Sequence, residues 1–403
     1  MATVVLLGTL DTKGHEYAFL RDRVREHGVD VLLVDAGIMG EPLAEPDIGR
    51  DEVAAAAGAD VGALASAGDR GAAIETMARG AAEIVQRLHA EGRLDGIAGL
   101  GGSGGSALVT HAMRALPVGV PKLMVSTVAS GDTRPYVGAT DVTMMYSVVD
   151  IAGVNRISAQ IMANAAGAIA GMAKATVPEA DGDRPLIGAT MFGVTTPCVT
   201  RARERLEELG YEVLVFHATG TGGQSMEALA RGGFLAGVLD VTTTELADDL
   251  VGGVLSAGPD RLEAAGELGL PQVVSLGALD MVNFGPLESV PPEFRDRNLY
   301  VHNPTVTLMR TTPDECAELG RRIGRKLAKA TGPTAVFVPL NGVSMIAMES
   351  GVFHDAEADV ALFGGLRETL GDVEAHWLEL DVNDEAFAVA MADRLHELIQ
   401  GDT

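Results

Sequence analysis

Short apolar runs alternate along the chain with longer stretches whose apolar positions recur at helical spacing. VVLLG (residues 4–8), VDVLLVD (29–35), DGIAGL (95–100) and KLMVST (122–127) read as strands, with another around 142–146. Runs that stay apolar at nearly every position mark strands covered on both faces. Helical patterns fall between them at about 15–27, 71–91, 106–115 and 156–174. Strand followed by helix, repeated, predicts a parallel sheet wound in both directions. The segment VPEADGDRP (177–185) breaks both periods with two prolines and a cluster of carboxylates, and a domain boundary is expected there. The rhythm then restarts, with strands at 185–190, 211–217, 236–240, 272–276, 299–302, 335–339 and 373–380, and helices at 200–209, 225–231 and 384–400. The expected fold class is α/β: two Rossmann-like, doubly wound subdomains with mainly parallel sheets, over residues 1–180 and 181–403. Each half opens on a strand, a glycine-containing loop (GTLDTKG, GATMFGVTTP) and a helix, which suggests related halves.

Composition narrows the function more than the fold. The 403 residues are 47% hydrophobic and 21% charged, with 56 Asp and Glu against 30 Lys and Arg. A net charge of −26 repels nucleic acid and anionic membranes over long range. It leaves room for a phosphorylated small molecule, because backbone N–H groups at helix N-termini bind phosphate without a basic surface. Cys198 and Cys316 stand far apart and outside any C-x-x-C pair, so neither a disulfide framework nor a thiolate zinc site is expected. No basic leader opens the chain and no window reaches 18 uninterrupted apolar residues, so the expected location is the cytoplasm.

The strongest local motif is GLGGSGGS (99–106), set between a strand and a helix, which reads as G-x-G-x-x-G through Gly99, Gly101 and Gly104. Dinucleotide binding would also call for an acid at the end of the next strand, where Ser126 and Thr127 stand instead. That leaves a phosphate loop for another ligand, or glycines that serve only close packing of helix on strand. The first loop, GTLDTKGHEY, lacks the G-K-[ST] ending of a P-loop but places Thr9, Asp11, Thr12 and Lys13 beside a helix start. Asp11 is the candidate carboxylate for a hydrated Mg²⁺, or a plain helix cap. Asp35 ends the second strand. In SGDTRPYVGATD (130–141), Arg134 could clamp phosphate, with Asp132 and Thr133 as further ligands.

In the second half, His217, Asp240, Asp280, Asn283, His302 and Asn341 all stand at expected strand ends and would face one edge of a parallel sheet. GTGGQ (220–224) is a nest sized for a phosphate or a carboxylate. His217, His302 and Asn341 are the catalytic candidates, the histidines as general bases, metal ligands or hydrogen-bonded core residues. H-x-H, H-E-x-x-H and nucleophile-elbow motifs are missing, so zincin and serine-hydrolase chemistry have no support.

Taken in order, GTLDTKGHEY with VDAG, GLGGSGGS, MVSTVASGDTRPYVGATD, FHATGTGGQSME and LYVHNPTVTLMRTT resemble a known family across nearly the whole chain. It is the family homologous to the N-terminal, ATP-binding, virus-inhibitory domain of the tomato mosaic virus resistance protein. The resemblance implies two Rossmann-like subdomains, a tendency to dimerise, and binding of ATP with Mg²⁺. Carried onto this chain, it implies nucleotide contacts from Thr9, Asp11, Thr12, Gly101, Gly102, Ser103, Gly104, Ser126, Asp132, Thr133 and Arg134, with Asp11 at the metal. The plant protein continues into a further domain, and its antiviral action is not implied here. The expected protein is therefore an ATP·Mg²⁺ binder, which as an enzyme would transfer phosphoryl or activate a small carboxylate or carbonyl compound. Two rival readings are a non-catalytic module that closes on nucleotide, and an enzyme cleaving or hydrating a carbonyl substrate with a metal on His217, Asp240 or His302.

Overall fold

Alternation along the apolar runs sorts their side chains onto two faces. Val5, Leu7, Val34, Ile97 and Met124 share one buried cluster, while Val4, Leu6, Leu33, Leu100 and Val125 share another. A sheet with two apolar faces must be covered on both sides, and each buried Val or Leu contributes about 1.5–3 kcal/mol to that covering. The structure, a computed structural model, describes residues 1–176, 182 and 184–401. Most of the expected boundary segment 177–185 lies outside the described residues; by compactness the chain divides into Met1–Glu179 and Ala180–Thr403. Among the described residues, no helix is long and apolar enough to cross a membrane.

The first unit has five parallel strands: β1 (Thr3–Gly8), β2 (Asp30–Asp35), β3 (Gly96–Gly101), β4 (Lys122–Ser126) and β5 (Thr143–Tyr146), in the order β2-β1-β3-β4-β5. Helices Leu10–Glu26 and Arg156–Ala173 cover one face; Arg50–Ala56, Arg70–Ala90 and Ser103–Arg114 cover the other. The first helix begins five residues earlier than its pattern predicts, because the Asp35 carboxylate accepts from the Leu10 N–H at 2.9 Å and supplies the missing cap. Helices at Arg50–Ala56 and Val61–Ala67 carried no readable period.

The second unit has six parallel strands: β6 (Leu186–Met191), β7 (Glu212–His217), β8 (Leu235–Thr242), β9 (Gln272–Gly277), β13 (Thr334–Pro339) and β14 (Glu374–Leu378). Their order is β14-β13-β9-β8-β6-β7. Between β9 and β13 the chain builds a separate antiparallel sheet from β10 (Met281–Phe284), β11 (Leu299–Asn303) and β12 (Val306–Arg310), in the order β10-β12-β11. This corrects the expectation for 299–302, which pairs with β12 and not with the parallel sheet. Helices Thr196–Glu208 and Glu385–Gln400 cover one face of the parallel sheet, and Pro313–Leu327 and Ala356–Thr369 pack on the other. The two-subdomain α/β fold is thus as expected.

Candidate functional site

In a doubly wound sheet, ligands bind outside the carboxyl ends of the strands, where the order reverses. In the first unit that point lies between β1 and β3. A cavity of about 360 Å³ opens there, lined from the chain after β1 (Thr9, Asp11, Thr12), after β2 (Ala36, Ile38, Met39) and after β3 (Gly104, Gly105, Leu108), and from the helix Arg70–Ala90 (Arg70, Ala73, Ile74, Met77).

The glycine-rich segment turns out to be the start of the helix Ser103–Arg114, not a loop ahead of it. Gly102 is its N-cap position and makes no side-chain cap bond, so no side chain of the chain caps the first-turn N–H groups. Two glycines have a packing role. A Cβ at Gly99 would stand 3.0 Å from the Leu7 carbonyl oxygen, and one at Gly101 would stand 3.1 Å from Gly105 Cα. Gly104 instead faces the cavity, and the Arg70 guanidinium lies 3.7 Å from where its Cβ would be. Arg70 is exposed and has no hydrogen bond or ion pair among the described residues.

Asp11 receives the Met39 N–H on Oδ2 at 2.7 Å, while its buried Oδ1 has no partner. Asp35 holds the Leu10 and Gly37 N–H groups on Oδ1, and its Oδ2 is likewise buried and unpartnered. Burial raises the Asp35 pKa, and the neighbouring Asp11 charge adds to the rise. The hydroxyls of Thr9 and Thr12 lie 2.9 Å apart at the cavity wall.

Other members of the predicted set lie elsewhere. Ser126 is buried, with its Oγ 2.6 Å from Ser106 Oγ, and ties β4 to the helix behind it. Arg134 is 89% exposed and closes on Asp132 at 2.7 Å, holding that carboxyl down to about 2. Neither residue lines the cavity, and neither does Thr133. Lys13 donates to the Ile151 carbonyl. The arginine at the cavity wall is Arg70, which stands just before a helical pattern in a stretch without a motif and so gave no signal in the sequence.

In the second unit the expected gathering of polar residues is dispersed. His217 is exposed at the end of the edge strand β7, edge-on to Phe192. His302 is exposed on β11 of the antiparallel sheet. Asn341 follows β13, four strands from β7 and so about 19 Å away at the usual strand spacing. The three do not form one site. Asp240 is not free for a metal either: it holds Arg261 through both oxygens at 2.5 and 2.7 Å and accepts from Thr190 at 2.6 Å. Among the described residues, no group of three or more His, Cys, Asp or Glu is placed to hold a metal ion.

The GTGGQ nest does hold a carboxylate, and the carboxylate is the chain's own. Glu245 Oε1 accepts the N–H groups of Gly220 at 2.7 Å and Gly223 at 3.1 Å, while its Oε2 takes Arg261 Nε at 2.7 Å. Burial works against the charge on Arg261, but Asp240, Glu245 and Glu227 outweigh it and raise the pKa well above the ordinary value.

Asp280 is wholly buried beside Ser344, whose Oγ donates at 2.8 Å. Desolvation pushes its pKa up to about 6 against the pull of Arg310. A raised pKa means that the folded chain holds this proton more tightly than the unfolded one. The stabilising contribution is therefore whole below about pH 4 and is lost as pH rises through about 6. Asp280→Asn should accordingly gain about 2 kcal/mol relative to the parent between pH 4.5 and 7.5 in urea unfolding. A gap that stays constant with pH would show that Asp280 titrates normally.

Comparison with known proteins places the chain among close relatives. The models for the N-terminal and C-terminal domains of the uncharacterised protein family UPF0261 match residues 2–178 and 184–399. A UPF0261 protein of Clostridium tetani is 55% identical, over 98% of this chain and 99% of its own length. One from Mesorhizobium japonicum is 47% identical, over 97% and 98%. The ToMV susceptible protein tm-1(GCR26) of Solanum lycopersicum is 40% identical, over 98% of this chain but 55% of its own length. Among solved structures, a UDP-N-acetylglucosamine 2-epimerase from Rickettsia bellii is 10% identical over 68% of this chain and 78% of its own, with a TM-score of 0.24. Its putative counterpart from Listeria monocytogenes is 11% identical over 99% and 96%, with a TM-score of 0.26. These two likenesses are too weak to bear on chemistry.

Proposed function

The chain belongs to the UPF0261 family, and from that premise we propose that its first unit binds ATP in the cavity between β1 and β3. The observation that carries this reading is the pairing of an uncapped helix start at Ser103–Gly105 with the unpaired Arg70 beside it. Backbone N–H groups and a guanidinium converge on a place suited to phosphate, and the apolar wall of Ile38, Met39, Ile74, Met77 and Leu108 suits a flat base. The contacts proposed are thus Thr9, Asp11, Thr12, Gly104 and Arg70 at the cavity wall and the backbone of Gly102 and Ser103 at the helix start beside it, without Gly101, Ser126, Asp132, Thr133 and Arg134.

Mg²⁺ fits the same residues. Asp11 offers one buried oxygen with no partner, and Mg²⁺ beside a nucleotide commonly takes one carboxylate, phosphate oxygens and water. The ion would supply charge neutralisation at the phosphates. Thr9 and Thr12 would orient the ligand by hydrogen bonding, Arg70 would balance phosphate charge, and the apolar wall would exclude water from the base. The residues lining the cavity include no His, Cys or Lys, and binding, not hydrolysis, is the property proposed.

Calorimetric titration of ATP into the full chain, with and without Mg²⁺, tests the reading. Saturable binding that strengthens with Mg²⁺ is expected, and heat indistinguishable from dilution at millimolar ATP would end the nucleotide reading.

A further inference from the structure

Asn341 lines a second cavity, one that the nucleotide reading does not use. It measures about 860 Å³ and lies at the carboxyl ends of β13 and β14, against the first turns of the helix Ala356–Thr369. Its size is that of a small-molecule site, and it opens at the carboxyl ends of β13 and β14, away from the β6/β8 point where the strand order reverses. Leu340, Met348 and Phe363 make part of its wall apolar, while Glu349, Asp359 and Asp381 bring three carboxylates to it.

The side chain that decides what fits is Asp359. It is 9% exposed, its Oδ1 accepts from Arg310 at 2.8 Å, and its Oδ2 keeps some open surface and has no hydrogen-bond partner among the described residues. Arg310 pairs with Asp359 and with no other carboxylate of this wall, its remaining N–H groups going to the Phe353 and Asp355 carbonyls and the Thr311 hydroxyl. The Asn341 amide and the Glu349 carboxylate are likewise without partners among the described residues. The one other ionisable group at the wall, His354, turns Nδ1 toward the Ala347 carbonyl at 3.4 Å. A carboxylate oxygen open to the cavity and without a partner in the chain, with two further carboxylates on the same wall, gives the cavity a negative lining that a positive ligand would match. Among the described residues, no group of three or more His, Cys, Asp or Glu here is placed to hold a metal ion. The apolar wall would be left idle by a metal in any case.

We infer that this cavity binds a small organic cation, an ammonium compound with an apolar body. The ammonium donates to Asp359 Oδ2 with Glu349 and Asp381 nearby, and the body lies along Phe363, Met348 and Leu340. The site is independent of the nucleotide cavity.

Phe363 packs edge-on against Trp377, the single tryptophan of the chain, at 6.4 Å, so tryptophan fluorescence reports on this wall. The test titrates the full chain with phenethylammonium, cyclohexylammonium and hexylammonium, each beside the alcohol and the carboxylate of the same body. The Met348 methyl signal in ¹³C-methyl-methionine spectra locates the binding. Saturable responses are expected from at least one ammonium and from none of the alcohols or carboxylates. Asp359→Asn should abolish them. Because that change also frees Arg310, the variant Glu349→Gln/Asp381→Asn is measured too, and a roughly tenfold loss of affinity is expected with the melting temperature kept. Equal binding of the neutral or anionic members, or an unmoved Met348 methyl throughout the ammonium series, would overturn the inference.

Discussion

Glu245→Ala should cost the second unit about 3–5 kcal/mol of stability, the usual loss when one member of a buried ion-pair network is removed. The carboxylate has three donors on it: the Gly220 and Gly223 N–H groups and Arg261 Nε, all sealed from water. Truncation leaves those donors without an acceptor, and each buried orphan costs about 1–3 kcal/mol. Arg261 keeps Asp240, so the guanidinium is not stranded, and this holds the loss below that of removing Arg261 itself. Urea unfolding of the second unit measures the effect, with Glu245→Gln as the shape-conserving control that restores an acceptor but not the charge. A loss below about 1 kcal/mol for the alanine variant would mean that water fills the nest and satisfies the donors.

Arg70→Ala should weaken ATP binding by about ten- to a hundredfold, the worth of one or two charge-assisted hydrogen bonds to phosphate. Arg70 is exposed and unpaired, so its removal should leave the melting temperature unchanged and the loss should be one of binding alone. Arg134→Ala is the matched control: it also removes an exposed arginine, but one engaged with Asp132 away from the cavity, and affinity should hold. The reverse result, with Arg134 needed and Arg70 dispensable, would move the phosphate site to the chain after β4 and end the assignment to the β1/β3 cavity.

The carboxylates show how far local reasoning reaches. Asp35 and Asp11 were legible as residues at strand and loop ends, because β–α alternation places such positions at the ligand-binding edge. What each one does there was not legible. Asp35 caps the first helix on one oxygen and Asp11 holds the Met39 N–H on one of its own, each leaving the other oxygen unpartnered, and only the fold decides that Asp11 lines the cavity while Asp35 does not. GTGGQ was read as an anion nest from its glycines alone, yet its occupant stands 25 residues away at Glu245. His302 was placed at a parallel edge because β11 has strand composition; its pairing with β12 depends on a partner that local composition does not name.

By itself the sequence determined the elements that repeat: the strands of the two parallel sheets but not β10 and β12, that both sheet faces are covered, that the chain restarts near residue 180, and that glycines serve the strand-to-helix turn after β3. Those follow from periodicity and backbone sterics, which act between residues a few positions apart. Only the tertiary structure decided which polar side chains are spent on the protein and which are left for a ligand. Satisfaction of a buried charge depends on partners distant in the chain, as Asp240 finds Arg261 and Asp359 finds Arg310. Arg70 and the Asp359 oxygen stand out for the opposite reason, that the folded chain brings them no such partner.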